Sequence, residues 1–241
     1  MLKLTYAILV FLMKGLFAMK NKLLTGLLGF FIAILIITFS IGLPIYVRPF
    51  YYWQIDLLDI PEYSGADKED IIVAFNELMD YLTIPGKEFK TGIFKYSESG
   101  KSHFVDCKGL FDLNICALII SLIGVVTLIV LNKKKVFELW RPFGMNVSFC
   151  SGAYTLGGFA LIGGLAALDF DKAFQIFHKI FFPGKDNWMF SWYEDEIIRI
   201  LPQDFFMNCA ILILSSIILL CFGCIICGLI LKYREKHSKK I

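Results

Sequence analysis

Residues 23–47 read LLTGLLGFFIAILIITFSIGLPIYV, twenty-five positions without an Asp, Glu, Lys or Arg. Roughly 20 such residues in helical form cross the hydrocarbon of a bilayer. Two further runs are of the same kind: residues 115–131 (ICALIISLIGVVTLIVL) and 209–231 (CAILILSSIILLCFGCIICGLIL). A fourth, residues 146–168, is richer in Gly, Ala and Ser. There Ala153, Gly157, Ala160, Gly164 and Ala167 recur at alternating spacings of four and three. That spacing predicts one small-residue stripe along which a neighbouring helix approaches closely. Composition agrees: 57% of the 241 residues are apolar and 19% charged, against about 45–50% and 25% in soluble domains. The fold class is an all-α membrane protein, with four transmembrane helices and a small mixed extracellular domain on the outer face.

The net charge of +3 conceals a strong split. Lys3, Lys14, Lys20 and Lys22 precede the first span without an acid, and residues 132–145 carry Lys133, Lys134, Lys135 and Arg141 against Glu138. The tail, 232–241, carries Lys232, Arg234, Lys236, Lys239 and Lys240 against Glu235. By contrast, residues 48–114 hold 7 basic and 12 acidic side chains, and residues 169–208 hold 4 and 7. Basic residues collect in short cytoplasmic segments. Both termini and the 132–145 link are therefore placed inside, and the two acidic loops outside, in a bacterial plasma membrane. Residues 19–47 form the cytoplasmic cap and first span. Either Met19 is the functional start or residues 1–18 are a dispensable amphipathic lead, both in preference to a cleaved signal peptide whose core Lys14 would interrupt.

In the 48–114 loop, Asp67 and Asp70 open a helical pattern as an acidic capping arrangement. Ile71, Phe75, Leu78 and Leu82 give it one apolar face, and Pro85-Gly86 ends it. Residues 89–96 alternate weakly, as a short strand or an irregular segment. In the 169–208 loop, Phe170, Phe174, Phe177 and Phe181 continue the stripe of the third span as aromatic anchors, up to Pro183-Gly184. Seven cysteines are an odd number. Cys221, Cys224 and Cys227 resemble a metal motif but lie within a span without histidine, where cysteine acts as a small apolar residue. Cys107 is the one clearly in an outer loop, which argues against a disulfide framework.

Three histidines are present, and His237 belongs to the basic tail. His103 lies 12 residues before the second span and His178 about 10 after the third, at a shared depth near the outer surface. Asp106 and Lys108 accompany the first and Asp186 the second. Histidine takes up and returns a proton near neutral pH, and a helical 103–108 places Asp106 to fix the tautomer of His103. The chain has no phosphate-binding glycine loop, HExxH or GxSxG, no persuasive metal site, and no pattern pointing to nucleic acid or a cofactor. A site outside the membrane has no ATP, so its reaction must run downhill unaided. Acyl transfer from ester to amine meets that condition, given a base and oxyanion donors.

Two segments carry a resemblance. Ser97-Glu98, then Ser102-His103-Phe104-Val105-Asp106-Cys107-Lys108-Gly109-Leu110, are similar to the outer-loop motif of lipoprotein intramolecular transacylases. So are Phe177-His178-Lys179-Ile180-Phe181-Phe182-Pro183-Gly184 and Asp186-Asn187-Trp188-Met189-Phe190. Residues 195–206 (DEIIRILPQDFF) and Leu78-Met79-Asp80-Tyr81-Leu82 also fit, from about Met19 to the end of the fourth span. Two departures stand out: Ser99-Gly100 replaces a charged Arg-Glu type pair, and Cys107 an aliphatic residue. The resemblance implies an acyltransferase acting on diacylglyceryl-cysteine lipoproteins at the outer leaflet. It moves the sn-2 acyl chain to the cysteine's own α-amine, without cofactor, metal or ATP. His103 and His178 are then the catalytic pair, supported by Asp106, Lys108, Asp186 and Trp188. An outer-leaflet lipid esterase or intermolecular acyltransferase, and a non-enzymatic receptor or scaffold, are the alternatives that the residues alone leave open.

Overall fold

The computed structural model describes residues 2–238; Met1 and the tail residues Lys239, Lys240 and Ile241 lie outside the described residues. Among the described residues the regular elements are all helical. They are α1 (Leu2–Tyr46), α2 (Pro49–Leu57), α3 (Ile60–Ser64), α4 (Lys68–Thr83), α5 (Glu98–Lys133), α6 (Val147–Leu168), α7 (Phe170–Phe181) and α8 (Gln203–Ser238). Short 3₁₀ turns occur at Pro142–Gly144 and Glu196–Ile200. Four helices, over Val10–Tyr46, Glu98–Lys133, Val147–Leu168 and Gln203–His237, are long and apolar enough to cross a membrane. The first half of α5 carries Glu98, Lys101, Asp106, Lys108 and Asp112. The apolar run 115–131, without Asp, Glu, Lys or Arg, follows in the second half. The lead at 1–18 is helical from Leu2 and continuous with the first span.

The chain divides into two compact units. The first comprises Met1–Ile37, Ala117–Gly158 and Ile217–Ile241; the second comprises Thr38–Cys116 and Phe159–Ser216. In the first, Leu28, Leu128 and Phe137 form the core. The link after α5 folds back through hydrogen bonds from Asn132 Nδ2 to the Phe137 carbonyl (3.0 Å) and from the Trp140 amide to Thr25 Oγ1 (2.9 Å). Arg141 grips Glu235 with both guanidinium nitrogens.

In the second unit α4 is the central element. Glu69 and Asp70 in its first turn suit the helix dipole. Asp67 holds the extended N-cap backbone but makes no side-chain cap bond, so the capping expected of it is electrostatic only. Ile71, Phe75, Leu78 and Leu82 are all buried, joined by Ala74 and Met79. Such side chains each contribute about 1.5–3 kcal/mol on burial. Tyr51 stacks on Phe75 with centroids 3.6 Å apart, and its hydroxyl donates to the Ile200 carbonyl at 2.7 Å. Residues 87–97 contain no strand. Instead Phe89 wedges between Tyr81 and Tyr96, and Gly92 (φ +56°) crosses so near Ala74 that a Cβ would sit 3.1 Å from it. The mixed character expected of this region is thus helix plus irregular chain.

Two expectations for the third span are corrected. Ala153 is half-buried, but Gly157, Ala160, Gly164 and Ala167 face outward. The packed face is instead Ser151, Gly152 and Thr155. A Cβ on Gly152 would come within 2.7 Å of the Cys221 carbonyl oxygen, while Ser148 and Ser151 donate to the Cys224 and Gly29 carbonyls. Internal hydrogen bonding chose the face over size alone. The aromatic stripe also belongs to a separate helix: Asp169 breaks the path with φ −157° and ψ 93°, and its side chain accepts from the Lys172 amide at 2.9 Å. An N-cap aspartate starts α7. All seven cysteines are free thiols.

Candidate active site

Helix α5 starts at a serine cap: Ser97 Oγ accepts from the Gly100 amide at 3.0 Å. The buried Asp195 carboxylate then ties two segments together, accepting from the Ser97 amide at 2.7 Å and the Ser191 amide at 3.0 Å. A Cβ at Gly100 would lie 2.3 Å from Asp195 Oδ1 and 3.0 Å from the Phe190 ring. Glycine at the departure Ser99-Gly100 therefore permits this close approach.

Two turns into α5, His103 is buried, 5% exposed. His178, near the end of α7, is 6% exposed. Their ring centroids are 5.7 Å apart with planes 33° from parallel. Phe182 presents an edge to His103 at 4.8 Å, and Trp188 stacks on His178 at 4.6 Å. His178 Nδ1 donates to the Phe174 carbonyl at 2.7 Å. A carbonyl only accepts, so this contact puts the ring proton on Nδ1 and leaves Nε2 a lone pair. His103 Nε2 is 3.4 Å from Cys107 Sγ, and its Nδ1 is buried without a hydrogen-bond partner among the described residues. Burial lowers the His103 pKa to about 4, with the neighbouring His178 adding to the effect. It lowers that of His178 too, partly offset by the Phe174 carbonyl.

The supporting residues divide. Trp188 is in place, with its indole N–H donating to the Lys185 carbonyl at 3.0 Å. Asp106 is on the helix as its spacing requires, but its carboxylate is taken by Lys185 (2.5 Å) and Asn187 (3.0 Å). These two hold its carboxyl below the usual range. No Asp106 bond reaches His103; the thiol one position further along does. Lys108 turns away, its ammonium donating to the Tyr81 carbonyl and lying over the Tyr81 ring. Asp186 is exposed and takes part through its backbone, accepting from the Met189 amide. Asn187, Lys185, Phe182 and Asp195 were not singled out from the sequence. Asn187 sits beside Trp188 in the second motif; Asp195 carries no local signal, because its partners are distant in the chain.

Beside the pair lies an apolar cavity of about 520 Å³, lined by both histidines and Cys107 with Ile41, Leu78, Phe174 and Ile213 among its walls. Among the described residues no three His, Cys, Asp or Glu side chains are grouped to hold a metal ion.

The sequence profile of the lipoprotein intramolecular transacylase family, Lit, matches residues 26–206. No curated protein sequence matches the chain. Among solved structures, the membrane-integral Lit of Bacillus cereus superposes with a TM-score of 0.78 at 27% identity, covering 92% of this chain and 98% of that one. Two variants of that protein, with one histidine replaced by arginine or by alanine, give TM-scores of 0.77 and 0.75 at 26% identity. They cover 92% and 93% of this chain, and 96% and 97% of theirs. The chain belongs to the lipoprotein intramolecular transacylase family and is a multi-pass membrane acyltransferase.

Proposed function

We propose that this acyltransferase moves the sn-2 acyl chain of a diacylglyceryl-cysteine lipoprotein to that cysteine's own α-amine, giving the N-acyl, S-monoacylglyceryl form. The observation that carries this reading is the pair His103 and His178, 5.7 Å apart on the wall of an apolar cavity. The cavity suits a hydrocarbon chain, and the imidazoles suit the two proton movements that the transfer requires.

His178 Nε2 is the base. It takes a proton from the α-amine as the new N–C bond forms at the ester carbonyl. His103 acts through its unpartnered Nδ1 as an N–H donor to the oxyanion of the tetrahedral intermediate. When the intermediate collapses, the C–O bond to the sn-2 glycerol oxygen breaks and the His178 imidazolium returns the proton to that oxygen. No proton is gained or lost over the cycle. Amine and ester belong to one substrate molecule, so the cavity supplies orientation, itself a large rate contribution.

The chemistry is assigned to the outer leaflet, with both termini cytoplasmic. Supporting this, both histidines lie in the unit built from Thr38–Cys116 and Phe159–Ser216, which contains most of the two acidic segments. The partners are diacylglyceryl-modified lipoproteins and membrane lipid, with no role for nucleic acid or ATP. The test is mass spectrometry of a diacylglyceryl lipopeptide incubated with the purified enzyme. N-acylation with loss of one glyceryl ester is expected; free fatty acid as the product would indicate an esterase instead.

A further inference from the structure

His178 has its tautomer set by a backbone carbonyl, whereas His103 has no equivalent on its own turn of helix. Asp106, the acid placed to provide one, is held by Lys185 and Asn187. Two hydrogen-bonding side chains meet the His103 ring: Cys107, with Sγ 3.4 Å from Nε2, and Asn187, which favours a protonated ring nitrogen. We propose that Cys107 is a positioning residue for His103: its S–H donates to Nε2 and so fixes the ring proton on Nδ1, the atom that faces the oxyanion. The proposal rests on the acid/base reading above and sharpens it at one atom.

Three observations support the direction of that bond. First, Cys107 stands four residues after His103 on one unbroken helix, so thiol and ring are neighbours on a single face. Second, Cys107 is half-buried and lines the cavity, and desolvation of the thiol pushes its pKa up to about 12. It stays S–H, a donor, and is no thiolate nucleophile. Third, the reverse arrangement is costly. If Nε2–H donated to sulfur, Nδ1 would be a bare buried acceptor beside the Asn187 side chain, whose Nδ2 is already given to Ser102 and Asp106 and whose Oδ1 only accepts. With the thiol donating, Nδ1 carries the proton, which the reaction uses.

The test uses the full chain, purified with lipid, and a diacylglyceryl lipopeptide, in Cys107→Val and Cys107→Ser. Cys107→Val keeps the volume and removes the donor, so kcat falls about three- to tenfold with KM unchanged. Cys107→Ser restores a donor and keeps kcat within about twofold of the parent. Nitrogen-15 spectra of histidine-labelled protein, with the His103 signals assigned through His103→Ala, report the tautomer directly. The parent and Cys107→Ser hold the proton on Nδ1, and Cys107→Val shows a mixture. A valine variant with parental kcat and an unchanged spectrum overturns the proposal, as does a serine variant as slow as valine. The same lipopeptide tests the parent reading separately. If His103→Ala and His178→Ala both stay active, the acid/base assignment falls; if they fail while Cys107→Val matches the parent, only the role of Cys107 falls.

Discussion

A histidine serves as a base at neutral pH only if it is neutral and has the right nitrogen free, and burial together with the Phe174 carbonyl meets both conditions at His178. The sign of the pH dependence follows. Burial lowers both imidazole pKa values, that of His103 to about 4, so the His103 ring remains unprotonated as the pH falls through the range where an ordinary histidine charges and the His178 ring charges only below its usual range. The substrate's α-amine, near 7.7–8.0, is then the group that sets the acid limb. kcat/KM should rise about tenfold per unit up to that range and level off above it. A limb centred near 6.5 would contradict the assignment. Which residues surround the pair was only partly legible in the sequence. The two histidines are visible from their equal distance to apolar runs, and Trp188 from its motif. Asp106 and Lys108 share the helix turn of His103, but their charges are satisfied by Lys185, Asn187 and Tyr81, partners that local spacing does not reveal.

Helices α5 and α7 bring the two rings together, and each is started by a capping group that a single substitution removes. Asp169→Ala deletes the cap on α7 and should cost about 1 kcal/mol, read as a lowered Tm in lipid, with activity loosened through His178. Gly100→Ala places a methyl group 2.3 Å from Asp195 Oδ1. Overpacking of this kind costs about 1–3 kcal/mol, and the expected result is a lower Tm together with a lower kcat, since Asp195 also holds the 191 segment. An alanine variant as stable and active as the parent would show that the clamp is not needed. Element existence was readable from periodicity: α4 buries the four residues its spacing names. Element ends and faces were less so. The break at Asp169 depends on one side chain capturing a backbone amide, and the packed face of α6 was decided by Ser148, Ser151 and Gly152, not by the longer run of small residues beside them.

For the whole molecule, the proposed orientation, read from the charge split, has the acidic segments outside. Cysteines added at exposed positions, Glu88→Cys and Lys134→Cys, test it with a membrane-impermeant maleimide on intact cells, read as labelling above that of the parent chain with its seven free thiols. Glu88→Cys should label at once and Lys134→Cys only after permeabilisation; the opposite pattern reverses the topology. Four long apolar runs made the membrane and the number of crossings legible, because hydrocarbon thickness leaves few other solutions. The shape of the cavity was not legible, since its walls come from α1, α4, α5, α7 and α8. The most direct measurement follows one acyl chain. A lipopeptide with an isotope-labelled sn-2 chain is incubated with the parent protein, His103→Ala and His178→Ala, and the position of the label is read by tandem mass spectrometry. The account predicts the label on the α-amine of the same peptide with the parent enzyme, and a loss of rate of about a hundredfold or more in each variant. Label released as free fatty acid or found on a different peptide, or alanine variants that keep the parental rate, would contradict it.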